Sequence, residues 1–590
     1  MSRSPNNRHR WSRYQVVLAF MFFGFVLVAT RAFYLQVIDA NYLQEQGDAR
    51  HLRIVEDDSH RGMILDRNGE PLAISTPVDS VWAVPDDLAS ARASWPALAR
   101  LLGIPPSDLA RDVRRQAGHD FMYIKREIAP ETAKAVMALG IPGVALQREY
   151  RRYYPAGPVA AHVVGFTNVD DEGQEGIELA YNSWLRAIPG KKRVLKDRYG
   201  NIVENVESIS LPVPGRNLTI SIDRRIQYLA YRALKGAIAL HHARAASAIV
   251  LDARTGEVLA LVNEPSFNPN NRSHLQSRIY RDRAVTDVFE PGSTLKPFTI
   301  ATALETGRYL PTTVIDTTPG SIEIGHNIIR DERNYGLLTV AQVIEKSSNV
   351  GATKIALSLN RDSMWDMFRR VGFGVPTGVG LPGEASGFVN PPNRWVPVEQ
   401  ATMSFGYGIS VTPIQLAQAY GGLANNGLMM PVTLLRRDQP VAGRRIMPAT
   451  VAHEIRSMLE LAVSSDGTGK AADVVNYQVA GKTGTTHKLG PNGYEPNDYI
   501  ASFAGFVPAS NPRLVMVIMV NDPTGGAYYG GQIAAPVFSK VMTGAMRLLN
   551  IPPDDLPRPQ HWMAQAPASR AAANQLMTQG SRASRTGEGT

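Results

Sequence analysis

A multidomain α+β protein behind a single membrane-spanning helix is expected from three features of this chain. Its 590 residues exceed what one hydrophobic core holds, so roughly two to four domains should share them. One apolar run near the N-terminus approaches the length a bilayer requires. From about residue 245, strand-like runs alternate with helical segments, the pattern of an antiparallel sheet with helices packed on it. Hydrophobic residues make up 44% and charged residues 19%, a globular rather than a disordered balance.

The N-terminal elements come first. Residues 1–15 carry Arg3, Arg8, Arg10 and Arg13 and no acid. The run VVLAFMFFGFVLVAT (16–30) follows, Arg31 interrupts it, and AFYLQVI continues to Ile38. Arg31 can snorkel to the far interface, and Tyr14 and Tyr34 suit the boundaries. We therefore expect a basic cytoplasmic tail over 1–15, a transmembrane helix over 16–38 and the remaining chain across the membrane. A cleaved signal peptide is the alternative; no small-x-small cleavage site follows the run.

Residues 39 to about 60 are predicted to continue as helix. In RGMILDRNGEPLA (61–73), Asp66-Arg67-Asn68-Gly69 reads as a tight turn between two short strands. The stretch from 74 to about 230 mixes short strands with helical segments such as PETAKAVMAL and holds no catalytic constellation. LPVPGRNLTISID (211–223) has the Pro/Gly break of a domain border. A non-catalytic domain is thus expected over 39–230 and a second domain over 245–550. In the latter, SAIVLDARTGEVLALVN (247–263) reads as a hairpin, and YQVAGKTGTT, YIASFAGFVP and RLVMVIMVND as three further strands. By composition, 553–590 is a disordered tail.

Three short motifs in the second domain carry chemistry. In FEPGSTLKPF (289–298), Ser293 and Lys296 stand one turn apart at the start of a segment with helical character up to Gly307. A serine at a helix N-terminus has free N–H groups and a favourable dipole for developing negative charge. A lysine acts as its base only if neutral, and burial or a second cation lowers its pKa. Alone, Ser-x-x-Lys is a loose pattern that equally describes two ordinary residues near a helix start. Ser347-Ser348-Asn349 lies between two short helices, the first with Thr339 and Gln342 at capping-box spacing. There Ser347 could relay a proton and Asn349 hold an amide, although Ser4-Pro5-Asn6 and Ser266-Phe267-Asn268 match the same pattern. Lys482-Thr483-Gly484-Thr485, in a strand-like run, supplies the second cation. Lys482 and Thr483 suit a substrate carboxylate, Gly484 close approach of a substrate backbone, and the Thr485 N–H an oxyanion hole shared with that of Ser293; the alternative is an exposed strand end.

Other chemistries lack residues. Net charge is +9 with scattered Lys and Arg, and no nucleic-acid-binding pattern stands out. With no cysteine, thiol catalysis, disulfides and cysteine-based metal sites are excluded. Among the 12 histidines there is no H-E-x-x-H, and His241-His242 reads as a helix end, so neither a metal nor a cofactor is expected.

The three motifs, in this order and context, form the signature of penicillin-recognising serine enzymes. The chain resembles the class B penicillin-binding proteins, within them the septal D,D-transpeptidases of Gram-negative bacteria. The likeness runs from the apolar helix to about residue 550 and includes RGMILDRNG, GFTNVDDEGQEGIELAYNSWL (165–185), KDRYG (196–200) and YYGGQIAAPVF (528–538). Here Ser348 stands where the Ser-Asp-Asn form of the signature has Asp, as class B implies. The resemblance implies an elongated pedestal, or dimerisation-type, domain below a transpeptidase domain with a helix-flanked antiparallel sheet. It implies Ser293 as acyl-enzyme nucleophile, Lys296 as its base, Ser347 and Asn349 in the proton relay and amide contact, and Lys482, Thr483, Gly484 and Thr485 around the donor carboxylate. The implied reaction cross-links D-Ala-D-Ala stem peptides to an amine acceptor, with β-lactams as covalent inhibitors. The implied partners are FtsW, the FtsQ–FtsL–FtsB complex and FtsN, at the division septum of the inner membrane. Arg61 and the Asp66–Gly69 turn match the family's non-catalytic motif, for interdomain structure or partner contact. An elongation-type paralogue, a D,D-carboxypeptidase or β-lactamase-like hydrolase, and a non-enzymatic penicillin sensor remain the competing readings.

Overall fold

The computed structural model describes residues 12–42, 52–196, 202–273, 276–490 and 493–556. The basic tail up to residue 11, KDRYG beyond Lys196 and the expected disordered tail from 557 lie outside the described residues.

Helix α1 (Arg13–Phe33) begins at a capping box in which Ser12 and Gln15 satisfy each other's backbone N–H. It runs through one wider turn to Ile38, giving a 26-residue helix whose apolar 18-residue stretch has mean hydropathy 2.2 and none of that stretch buried in the protein. That length and composition suffice to cross a membrane.

The segment predicted as helical up to residue 60 instead contains strand β1 (Leu52–Asp57). Its partner is remote: β1 pairs antiparallel with β6 (Gly190–Lys196), from Leu52↔Leu195 to Asp57↔Gly190, and β6 pairs with β7 (Ile202–Ser210). A second sheet is built on the 13-residue strand β3 (Pro71–Ala83), flanked by β2 (Ile64–Leu65), β4 (Met122–Ile128) and β5 (Val144–Tyr153). The expected turn at Asp66–Gly69 joins β2 to β3: the Asp66 carboxylate accepts the N–H groups of Asn68 and Glu70, and Gly69 takes φ +86°. Helices α2 (Trp95–Leu102), α3 (Pro106–Arg115) and α4 (Pro130–Met137) bury Leu98, Leu109 and Val136 in a small core with Val81 and Val144.

Two polar clusters tie this part together and to the next. Buried Arg61 donates to the Glu178 carboxylate at 2.7 Å, and Arg152 donates to the other Glu178 oxygen at 2.7 Å. The Asp66 turn reaches the catalytic region, where Asn68 donates to Asp223 at 3.3 Å and the Asp66 carboxylate accepts the Arg224 N–H at 3.2 Å.

Strand β8 (Leu218–Thr219) leads into α5 (Arg224–His241), capped by Asp223 and ending at His242 in the left-handed region, as the paired histidines foretold. The C-terminal sheet has the order β10-β9-β13-β12-β11, all antiparallel, with β9 (Ala245–Asp252), β10 (Val258–Glu264), β11 (Ala480–Gly490), β12 (Gly493–Val507) and β13 (Leu514–Asn521). Both faces are covered, so β13 reads as continuous apolar sequence and period 2 decides only which layer each residue joins. Val515, Val517 and Met519 enter the core shared with α6 (Lys296–Glu305), α9 (Pro413–Ala424) and α10 (Ala449–Val463). Leu514, Met516, Ile518 and Val520 enter the one beneath α5 and α11 (Gly530–Leu548). Helix α6 is buried along nearly its whole length, from Lys296 to Leu304.

Candidate active site

Ser293 sits in a single 3₁₀ turn, Gly292–Leu295, that runs directly into α6. Three contacts fix this turn. Gly292, at φ +56°, donates to the Gly406 carbonyl at 3.1 Å, the Thr294 hydroxyl donates to the Pro291 carbonyl at 2.7 Å, and the buried Tyr420 hydroxyl donates to the Thr294 carbonyl at 2.9 Å.

Lys296, one turn on, is wholly buried among apolar helices. Its Nζ lies 3.0 Å from Ser293 Oγ, 2.5 Å from the Ser347 carbonyl, 3.1 Å from Ser347 Oγ and 2.8 Å from Asn349 Oδ1. Ser347 reaches this position between α7 (Val340–Glu345) and α8 (Asn349–Leu357) by taking φ +59°, which costs a non-glycine residue about 1–2 kcal/mol. The capping box expected of Thr339 and Gln342 starts α7. Asn349 is oriented by its amide N–H, which donates to the Arg330 carbonyl at 3.2 Å and so turns Oδ1 toward Lys296.

The contacts of Lys296 suit a neutral amine as well as an ammonium, and burial decides between them. The Ser347 carbonyl and Asn349 Oδ1 accept only, so they take two N–H groups. A neutral amine has two N–H groups, leaving its lone pair for a hydroxyl proton, and Ser293 Oγ is 3.0 Å away. Burial pushes the Lys296 pKa well below its ordinary value, the Lys482 cation pushes it further, and the Asp331 carboxylate opposes both. Lys482 is itself buried in β11, which lowers its pKa to about 7; its Nζ is 3.5 Å from the hydroxyls of Thr468 and Thr483.

The sheet edge completes the cleft. Thr483 and Thr485 line it with Ser293, Ser347 and Asn349, in a cavity of about 800 Å³. The Thr483 and Thr468 hydroxyls are 2.9 Å apart, and the Thr485 hydroxyl accepts the Gly530 N–H at 3.0 Å. Gly484 is used differently from the sequence expectation. A Cβ there would collide with Ser502 Oγ and stand 2.9 Å from the Pro291 carbonyl. The glycine thus admits the serine turn against the strand, and its α-carbon faces the protein rather than the cleft.

Sequence reasoning missed Asp331. It follows the hairpin of Ser321–Ile324 and Asn327–Arg330. Its carboxylate accepts the Ser348 hydroxyl at 2.6 Å and the N–H groups of Asn349 at 2.5 Å and Val350 at 3.0 Å. Asp331 therefore anchors the start of α8 that carries Asn349. Thr468 and Tyr529, which also line the cleft, were missed too, because each reaches it from a loop remote in sequence. Among the described residues no group of three or more His, Cys, Asp or Glu could hold a metal.

The family model for the penicillin binding protein transpeptidase domain matches residues 246–543, and that for the penicillin-binding protein dimerisation domain matches 56–220. The chain is 42% identical over 549 residues to the peptidoglycan D,D-transpeptidase FtsI of Escherichia coli, covering 92% of this chain and 93% of that one. The solved transpeptidase domain of Burkholderia pseudomallei penicillin-binding protein 3 is 45% identical, with TM-score 0.53, over 57% of this chain and 98% of that one. Penicillin-binding protein 3 of Mycobacterium tuberculosis, solved with aztreonam, is 29% identical, with TM-score 0.67, over 85% of this chain and 98% of that one. With both domains matched in this order and a relative alike along 92% of the chain, the protein belongs to the class B penicillin-binding proteins, a family of membrane-anchored peptidoglycan D,D-transpeptidases.

Proposed function

We propose that this chain is the septal transpeptidase of its cell, cross-linking peptidoglycan stem peptides through an acyl-enzyme on Ser293. The observation that carries this reading is the position of Lys296 Nζ, 3.0 Å from Ser293 Oγ with its N–H groups engaged elsewhere. Neutral Lys296 takes the Ser293 proton as Oγ attacks the carbonyl carbon of the penultimate D-alanine. The N–H groups of Ser293 and Thr485 receive the oxyanion, and Thr483, Thr485 and Lys482 hold the terminal carboxylate. Lys296, relayed by Ser347, hands the proton to the leaving nitrogen, and D-alanine departs. Asn349 holds a stem-peptide amide. An acceptor amine then attacks the ester carbonyl, its proton passes to Lys296 and on to Ser293 Oγ, and a new amide cross-link leaves the enzyme free. β-Lactams enter the same path as donor mimics and stop at the acyl-enzyme.

α1 anchors the protein in the inner membrane with its N-terminus cytoplasmic. Residues 39–230 act as an elongated pedestal that carries the transpeptidase domain, 245–550, into the periplasm. The septal assignment rests on the likeness to FtsI, and FtsW, FtsQ–FtsL–FtsB and FtsN are its expected partners. The reaction is tested with a D-Ala-D-Ala-terminated donor and an amine acceptor, with products identified by mass spectrometry. Amide product in excess over hydrolysed acid is expected; acid alone would make the protein a carboxypeptidase. Depleting the protein should give filamentous cells; rounded cells would assign it to elongation instead.

A further inference from the structure

The second half-reaction raises a question the three motifs leave open: where the acceptor amine waits. At neutral pH a primary amine is an ammonium, with a reference pKa of about 10. It must reach the acyl-enzyme through a cleft whose walls include the cations Lys346 and Lys470. Among the described residues two carboxylates line that cleft, Asp331 and Glu332. Asp331 is committed to three donors at the start of α8. Glu332 is exposed, and among the described residues its carboxylate has no hydrogen-bond or ion-pair partner. Its neighbour Arg333 lies over the Tyr335 ring instead, 5.3 Å from the centroid. Tyr335 and Tyr529 line the cleft with Glu332; burial chiefly raises the Tyr335 phenol pKa and the Tyr528 hydroxyl that of Tyr529, and the charge of Glu332 adds a lesser part to each.

We propose that Glu332 forms the docking point for the acceptor's ammonium group in the cleft. This rests on the transpeptidase reading above and specifies which substrate that reading's second step selects. A carboxylate without a partner in the cleft attracts a cation by charge. Glu332 holds the ammonium before deprotonation. The docked ammonium first gives one proton to solvent; Lys296, neutral again once D-alanine has taken its proton, accepts the second as the amine attacks and passes it to Ser293 Oγ. Glu332 is therefore a specificity residue for the acceptor.

The test uses the full-length protein in detergent, with active sites counted by benzylpenicillin titration and a D-Ala-D-Ala-terminated donor. Two acceptors are compared: D-alaninamide, largely protonated at pH 7, and methoxyamine, neutral there. In Glu332→Gln the ratio of KM for D-alaninamide to KM for methoxyamine should rise about two- to five-fold, the range for an exposed charge pair. In Glu332→Lys it should rise further, and the rise of the wild-type ratio with ionic strength should weaken in Glu332→Gln. An unchanged ratio in Glu332→Gln, or equal losses for both acceptors, overturns the proposal while leaving the transpeptidase reading intact. A wild-type protein that no benzylpenicillin titrates, or that hydrolyses the donor without using either amine, overturns the transpeptidase reading itself.

Discussion

Lys296 is the residue on which the chemistry turns. Its depressed pKa, from burial first and Lys482 second, makes the neutral amine the reactive form. Acylation by benzylpenicillin should therefore speed up as pH rises through the Lys296 pKa and then level off. Lys296→Ala should lower the acylation rate constant by about 10³, the middle of the range for a general base. Asp331 works in the opposite direction, since its charge holds the Lys296 pKa up. Asp331→Asn removes that charge, so the acid limb of the pH profile should move to lower pH. It also leaves donors of α8 unmatched, at a cost of about 1–3 kcal/mol measured by denaturant unfolding. A merely structural Asp331 would lose stability with no movement of the limb. The Ser293–Lys296 pair was legible because one helical turn separates them, and Lys482 because a lysine base calls for a second cation. Asp331 was not legible: it belongs to no spacing pattern, and its carboxylate meets Ser348 and Asn349 only because a hairpin returns the chain to α8.

The elements that hold these residues differ in how far local sequence determines them. β9 and β10 form a hairpin around a Thr-Gly turn, and both strands and turn are written in one stretch. β1 was misread as helix because its partner β6 lies more than a hundred residues away, and nothing within LRIVED discloses that pairing. β11 makes a tight junction: the serine turn sits against Gly484, where a Cβ would meet Ser502 and the Pro291 carbonyl. Gly484→Ala should destabilise the protein by about 1–3 kcal/mol, as overpacked sites do, and slow benzylpenicillin acylation by displacing Ser293. A shift of Tm with acylation unchanged would show that the turn tolerates the displacement.

In the molecule as a whole, a buried polar cluster ties together segments of the non-catalytic part that are remote in sequence. Glu178, fully buried, is shared by Arg61 and Arg152. Glu178→Gln leaves both guanidinium groups without their counter-charge and should cost about 3–5 kcal/mol, read as a lowered Tm. The order of domains was legible from the Pro/Gly break near 211–223 and from the apolar run near the N-terminus. How the non-catalytic sheets pair was not, because their contacts are long-range. One covalent bond, to Ser293 Oγ, underlies the whole reaction. Intact mass, followed over hours after adding benzylpenicillin to wild type and Ser293→Ala, with the adduct mapped by peptide digestion, tests it. The expected result is a stable single adduct on Ser293 of the wild type and none on a folded Ser293→Ala protein. An adduct on Ser293→Ala, or none on folded wild type, would contradict the account.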